Sequence, residues 1–181
     1  MKIDSMEFIE LLKKRRSIRN FLDKPVEKEK IEQLMEILQY LPSSRSFYPT
    51  EFIVVDDKEI MKKLSNCREH GTSSLETAPV AIIAIADSQK SDVWIEDASI
   101  ASTFLMLSAV DLGLASCWIQ IRKRKKGAVS SDGIISDLLD IPPKYSVQSI
   151  IVVGYADESK ISGKTKHFDL GKIYLNGYDL K

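Results

Sequence analysis

One long apolar segment limits what this chain can fold into more than any other feature. The apolar stretch runs from Ala98 to Ile121. Its first part belongs to a predicted helix over 91–112 that carries apolar side chains on most of its sides, which is typical of a central, buried helix. Asp111, Gly113 and several serines and threonines interrupt the run. We therefore predict a buried helix that ends at Gly113, followed by a buried strand over 115–121, and no membrane span.

The other apolar patterns predict four more helices and three more strands. Asp4 and Glu7 resemble a capping pair for the first helix, and Pro25 marks the start of the second. Pro142-Pro143 closes a later helix. The four helices are expected near 8–12, over a stretch that carries Ile31 to Leu41, after Asp56 or Asp57, and over 131–139. The three strands are expected at 52–55, 80–85 and 147–155. These elements suggest one α/β domain spanning 1–181, with a tail from Ser162 that lies against a neighbouring subunit.

Charge and cysteine content exclude several classes of protein. The 26 basic and 26 acidic residues balance, so no overall field attracts nucleic acid or a membrane surface. Two cysteines make no disulfide framework, and the beginning of the chain lacks a signal-peptide pattern. We expect a cytoplasmic protein.

Several common catalytic sites have no counterpart in the sequence. There is no glycine-rich dinucleotide fingerprint, no P-loop and no nucleophile elbow. Cys67 and His70 have ligand-like spacing, and Cys117 and His167 could join them, but such scattered pairs are usually structural. We expect no metal site, and we interpret Cys117 as a small buried hydrophobe.

Two basic runs leave alternatives open. Arg15-Arg16-Ser17-Ile18-Arg19 offers guanidinium groups and a hydroxyl for a phosphate, or it is the solvated end of a basic helix. The run 122–126 is either a solvated loop after a strand or a contact for the phosphates of a nicotinamide nucleotide.

Other loops suit a planar, phosphorylated cofactor. Pro42-Ser43-Ser44 supplies hydroxyl and backbone groups, the strand 116–121 supplies an apolar wall with backbone donors, and Lys164 and Lys166 supply two more cations.

In this order the motifs resemble the FMN-dependent nitroreductase family. The matching pieces are Arg15 to Phe21, Leu41 to Pro49, Glu96-Asp97-Ala98, Gly113 to Ile119, and Ile150 to Tyr155. They cover nearly the whole chain in collinear order. The resemblance implies an α+β fold, with a mostly antiparallel central sheet flanked by helices, in an interlocked homodimer that holds FMN at its interface.

The resemblance also implies which residues bind the cofactor. Cofactor-binding residues of one subunit would be Arg15, Arg16, Ser17, Arg19, Trp118, Ile119, Gln120, Lys164 and Lys166, and those of the other Pro42, Ser43, Ser44 and Ser46. The backbone N–H of Gln120 is the candidate donor to flavin N5. Tyr48 and His70 would belong to the substrate cleft, although a plain surface histidine is the better interpretation of His70.

The chain departs from the family pattern around the flavin. Ser46 stands where members often have Asn, Tyr48 where Gln is common, Thr50 at a usual Trp position, and Gln120-Ile121 where a glycine-containing pair is frequent. These changes bear on substrate range more than on FMN binding.

The sequence therefore suggests an FMN-dependent oxidoreductase without a catalytic side chain. NADH or NADPH would deliver hydride to flavin N5 and leave, and an electron-poor small molecule (a nitroaromatic, quinone or enone) would then be reduced in the same cleft. The alternative is a flavin-binding storage, sensor or interaction protein on the same fold without significant turnover.

Overall fold

The computed structural model describes residues 7–160, 169–174 and 176–178 of the chain. Five α-helices and six strands lie in the part it describes. The helices are α1 (Phe8–Lys14), α2 (Lys28–Ile37), α3 (Lys58–Leu64), α4 (Trp94–Asp111) and α5 (Ser131–Leu138). The strands are β1 (Thr50–Val55), β2 (Val80–Asp87), β3 (Ala115–Gln120), β4 (Lys125–Lys126), β5 (Val129–Ser130) and β6 (Tyr145–Gly154).

Four strands form one antiparallel sheet in the order β1-β2-β6-β3. The two central strands, β2 and β6, are buried along most of their length, and both carry continuous apolar runs, over 80–86 in β2 and over 150–153 in β6, as expected when helices cover both faces of a sheet. The α+β class implied by the family resemblance is confirmed, and the α/β class inferred from the order of elements is wrong because the strands pair antiparallel.

The two faces of the sheet bury separate apolar clusters. Ile83 and Ile150 point to the face covered by α3 and α5, where Leu64 and Ile135 are buried. Their neighbours in the strands point to the other face, covered by α2 and α4 and filled by Leu34, Ile82, Leu105 and Ile151. The alternation of side chains along each strand produces this division.

The predicted central helix is confirmed as α4, which packs against β2, β3 and β6. It ends where Gly113 takes a φ of +72°, a conformation that costs little without a Cβ. Among the described residues, no helix is long and apolar enough to cross a bilayer.

Other boundaries moved by a few residues. The second helix begins at Lys28 and not at Pro25, after an extended stretch. Asp57 is the N-cap of α3, since its carboxylate accepts the N–H of Ile60 at 2.8 Å. Asp4 and the tail from 162 to 168 lie outside the described residues.

The backbone of Gly154, at the end of β6, packs closely against Pro79 in the loop before β2. A Cβ at this position would be 2.5 Å from Cδ of Pro79 and 3.0 Å from Cδ1 of Phe21. Because the proline ring cannot rotate away, we expect Gly154→Ala to lower the free energy of unfolding by about 2 kcal/mol. Urea unfolding followed by circular dichroism measures this loss.

The matched control is Gly127→Ala, where no atom lies within 4 Å but φ is +58°. We expect this change to cost only about 1 kcal/mol, through backbone strain. Equal losses for the two variants would contradict the close approach at Gly154.

Candidate functional site

The arginine segment, residues 15–19, is not the end of a helix. α1 ends at Lys14, and the chain then runs extended beside the edge of β3. Ser17 forms a parallel bridge with Ser116, and the N–H of Ile18 donates to the Ser116 carbonyl at 2.9 Å. An extended chain sends successive side chains to opposite sides, so the guanidinium groups of the segment divide between two sides.

Arg15 and Arg19 lie together on one side. Both are near enough to Cys117 to act electrostatically on its thiol. Arg16 lies on the other side, where it lines a cavity of about 580 Å³ together with Lys14, Gly113 and Tyr155. The structure therefore brings Arg15 and Arg19 together and separates Arg16 from them.

The outer edge of β3 presents backbone donors. The N–H of Ile121 donates to the carbonyl of Gln148 on β6, and hydrogen-bonded and non-bonded residues alternate along an antiparallel pair. The N–H and C=O groups of Ser116, Trp118 and Gln120 therefore point away from β6. The N–H of Gln120, predicted as a cofactor donor, points outward from the sheet.

Gln120 is held by three contacts. Its carbonyl accepts from Nη1 of Arg68 at 2.7 Å, and its Oε1 accepts from Nε1 of Trp118 at 3.0 Å. Its Nε2 donates to the carbonyl of Arg122, also at 3.0 Å. These bonds hold the backbone at the end of β3, while the side chain of Ile119 is buried in the core below.

The serine loop, residues 42–48, is organised by Asp97 at the start of α4. Oγ of Ser43 donates to Oδ2 of Asp97 at 2.9 Å, and the N–H of Ser44 donates to Oδ1 at 3.0 Å. The hydroxyl of Ser43 in turn accepts the N–H of Tyr48 at 2.9 Å. The carboxylate is buried, with 5% of the residue exposed.

Three residues of the serine loop have left-handed backbone angles. They are Arg45, Ser46 and Tyr48, with φ of 52°, 54° and 47°. Residues with a Cβ adopt such angles at a cost of about 1–2 kcal/mol each. The bonds to Asp97 therefore hold the loop in a shape that it would not keep alone.

The serine loop and the arginine segment lie at opposite ends of α4. The loop is bound at Asp97, whereas the arginine segment pairs with β3 just after Gly113. With a rise of about 1.5 Å per residue, the helix separates these two points by about 24 Å. Within one copy of the chain, the serine loop therefore lies far from the arginine segment.

Other predicted site residues are more peripheral. Tyr48 and His70 are both exposed, and Lys164 and Lys166 lie outside the described residues. The roles of two residues at the site were missed. Asp97 was named in a family motif without a role, although an acid inside an apolar helix could have indicated one, whereas the contact of Arg68 with Gln120 has no signal in the sequence.

The residues at the edge of β3 fit FMN. Ser116 is almost fully buried, and its hydroxyl has no hydrogen-bond partner among the described residues. The cations Arg15 and Arg19, which suit a phosphate, lie on the side of Cys117, whose side chain points to the opposite face of β3 from that of Ser116. Further along the edge are outward-facing backbone donors, which suit the polar atoms of a planar ring. Cations and backbone donors thus follow one another along one edge.

Cys67 and His70, which have ligand-like spacing in the sequence, differ in their exposure to solvent. Cys67 is fully buried and His70 exposed, while His167 lies outside the described residues. In the part of the chain that the structure describes, no three potential metal ligands lie together.

Burial suppresses the reactivity of both cysteines. It raises the pKa of the Cys67 thiol to about 11, and it also raises that of Cys117, with partial compensation by Arg19. Because the thiolate is the reactive form, we expect neither thiol to react with Ellman's reagent at pH 8 in the native protein. Both should react in guanidinium chloride. Rapid reaction of a native thiol would contradict the burial.

Known proteins resemble this chain over most of its length. The model of the nitroreductase family matches residues 12–72 and 66–155. An FMN-dependent nitroreductase of Clostridium difficile R20291 has a solved structure that superposes with a TM-score of 0.89 at 47% identity, covering 94% of this chain and 100% of that one.

Two curated relatives point the same way. A Methanothermobacter thermautotrophicus protein, provisionally named as an NADH dehydrogenase/NAD(P)H nitroreductase, is 33% identical over 96% of this chain and 89% of its own length. An FMN reductase [NAD(P)H] of Bacillus subtilis is 33% identical over 60% of this chain and 46% of its own.

Proposed function

The chain belongs to the nitroreductase family, and from this membership we propose that it reduces electron-poor small molecules by a two-step exchange. It is an NAD(P)H-dependent oxidoreductase that uses FMN. When bound, FMN would supply the hydride-transfer chemistry between the nicotinamide and a second substrate in the same cleft, and the residues of this chain would hold and orient it. The acceptor classes that we propose are nitroaromatics, quinones and enones.

The outward-facing N–H of Gln120 is the observation that supports this function most directly. It is a donor on a rigid strand edge, held by Arg68 and Trp118, and it suits a ring nitrogen. Arg15, Ser17 and Arg19 on the same edge are the proposed phosphate contacts. Their positive charge would also favour an anionic, reduced ring electrostatically.

The complete site requires a second copy of the chain in this proposal. The serine loop, with Pro42, Ser43, Ser44 and Ser46, is about 24 Å of helix away from the arginine segment. It would therefore complete the site of the other subunit. The proposed location is the cytoplasm, where the two buried, unpaired cysteines suit a reducing environment.

An exposed apolar face is the surface proposed for this dimer. Phe8, Ile9 and Leu12 on α1 are 64%, 64% and 46% exposed, and Ile100 and Phe104 on α4 are 41% and 42% exposed. α1 packs against α4, so these side chains belong to neighbouring helices. Patches of this kind on a soluble protein mark association surfaces.

We expect the double variant Ile100→Glu/Phe104→Glu to elute as a monomer in size-exclusion chromatography and to lose FMN, because four buried charges per dimer would be unpaired. Val54→Glu is the control, since Val54 is similarly exposed, at 40%, on the edge strand β1, and this variant should remain dimeric with FMN. A monomeric double variant that still holds FMN would contradict the shared site.

The absorption spectrum of the purified protein tests the proposed function. We expect flavin bands that bleach under anaerobic conditions when NADPH or NADH is added and return when a quinone or nitroaromatic follows. Bound flavin that stays oxidised with both nucleotides would overturn the two-step exchange and favour a flavin-binding protein without turnover.

A further inference from the structure

The basic hairpin, residues 122–130, is attached to the end of β3 next to the proposed cofactor edge. Its first residue receives a hydrogen bond from the side chain of Gln120. The N–H groups of Ile121 and Arg122 both donate to the carbonyl of Gln148. The predicted solvated loop is therefore a short hairpin, in which β4 pairs with β5 around Gly127 at a φ of +58°.

A second attachment joins the hairpin to the segment that contains Arg68. Oε1 of Glu69 accepts the N–H of Gly127 at 3.1 Å, while the neighbouring Arg68 holds the Gln120 carbonyl. Lys126 lies near enough to Cys67 to act on its thiol. The hairpin is thus held beside the outer edge of β3 at two places, at its first residue and at its tip.

The positive charge of the hairpin is only partly compensated by acids. Residues 122–126 are all basic, and residues 127–130 include no acid. Four of these side chains are exposed: Lys123, Arg124, Lys125 and Lys126. Among the described residues, no acid forms an ion pair with any basic side chain of the hairpin.

Two acids lie beside the hairpin: Asp132 accepts the N–H of Val147 at 2.6 Å, and Glu69 accepts that of Gly127. Five basic residues against these two carboxylates leave a surplus of three positive charges. In a chain whose total charge is zero, this concentration of cations at one point produces a local positive potential.

We propose that the basic hairpin binds the 2′-phosphate of NADPH and makes NADPH the preferred donor, an inference that rests on the proposed function. NADPH and NADH differ only in this phosphate, which is largely dianionic at neutral pH, as a phosphomonoester is. Guanidinium and ammonium groups bind such a group through charge-assisted hydrogen bonds. A donor whose nicotinamide lies at the edge of β3 would extend its adenosine end past Gln120 toward the hairpin.

The test compares two triple variants of the FMN-loaded dimer that each remove three positive charges. Lys123→Gln/Arg124→Gln/Lys125→Gln changes the hairpin, and Lys58→Gln/Lys62→Gln/Lys63→Gln changes exposed lysines of α3. We expect the wild type to prefer NADPH. The hairpin variant should lose at least about tenfold in kcat/KM for NADPH, the loss of about one charge-assisted contact, with less than a twofold change for NADH. The α3 variant should match the wild type with both donors.

A binding measurement is independent of turnover. Adenosine 2′,5′-bisphosphate, titrated calorimetrically into the FMN-loaded protein, should bind the wild type at least about tenfold more tightly than 5′-AMP does, and this difference should vanish in the hairpin variant. The wild-type difference should also shrink as salt is raised, because the groups are exposed.

Three results would overturn the inference. One is a wild type that uses NADH as well as NADPH, another is an equal loss with both donors in the hairpin variant, and the third is equal binding of the two adenosine nucleotides. Each of these leaves the proposed function standing, provided that NADH or NADPH bleaches the flavin. A wild type that oxidises neither nucleotide would overturn the proposed function itself and this inference with it.

Discussion

Replacing Arg15 and Arg19 together by alanine is expected to raise the Kd for FMN at least about a hundredfold. Each guanidinium is proposed to make a charge-assisted bond to the phosphate, and such bonds contribute about 1.5–3 kcal/mol each. The two side chains lie on one side of the extended arginine segment, near Cys117. Fluorescence titration of the flavin-free protein with FMN measures the change, and the reduction potential of any flavin retained should fall as positive charge is lost.

Arg16→Ala provides the discriminating comparison. Arg16 is adjacent in sequence and identical in type, but it lines the cavity on the opposite side of the segment. If the strand-like alternation holds, this variant keeps most of its FMN affinity. Equal weakening by Arg16→Ala would instead support the assignment made from the sequence, in which all the guanidinium groups of the segment bind the phosphate.

Asp97→Ala is expected to have the largest effect on stability and, through the serine loop, a second effect on FMN. The change leaves the Ser43 hydroxyl and the Ser44 N–H without the buried carboxylate that accepts from both. Hydrogen bonds to a charged group contribute about 1.5–3 kcal/mol each, so a loss of about 3 kcal/mol is expected. For a domain of this size, Tm should fall by roughly 6–12 °C.

The loop itself explains why Asp97→Ala should weaken FMN binding. Arg45, Ser46 and Tyr48 keep left-handed backbone angles, which relax once the acceptor is lost. In the proposed dimer the loop belongs to the site of the other subunit, so Asp97 controls the cofactor contacts that this loop supplies there. FMN titration and thermal unfolding of the same variant measure the two effects separately.

Asp92→Ala is the matched control in the same region. Asp92 pairs with Arg45 of the serine loop, but its side chain is 74% exposed, and exposed ion pairs contribute little. We expect a change in Tm of less than about 2 °C and unchanged FMN affinity. A control as damaging as Asp97→Ala would show that the loop depends on its surface ion pair and not on the buried carboxylate.

Much of the fold was determined by patterns that are local in the sequence. The apolar run around α4, its stop at Gly113 and the alternating or continuous apolar strands predicted most elements to within a few residues, because burial of apolar side chains selects these periods. The ordered motifs also predicted the antiparallel α+β class and the family, which the comparisons confirmed.

The arrangement of the site was decided by contacts between distant residues. The bridge from Ser17 to Ser116 separates Arg16 from Arg15 and Arg19, and the bond from Arg68 to the Gln120 carbonyl holds the end of β3. Neither pairing has a periodic signal, since each joins residues whose meeting depends on how the whole sheet assembles. The sequence alone determined which chemical groups are available and which segments bury themselves. Only the tertiary structure decided which of those groups face one another, because the direction of a side chain at an edge or in a loop is set by its non-local hydrogen bonds.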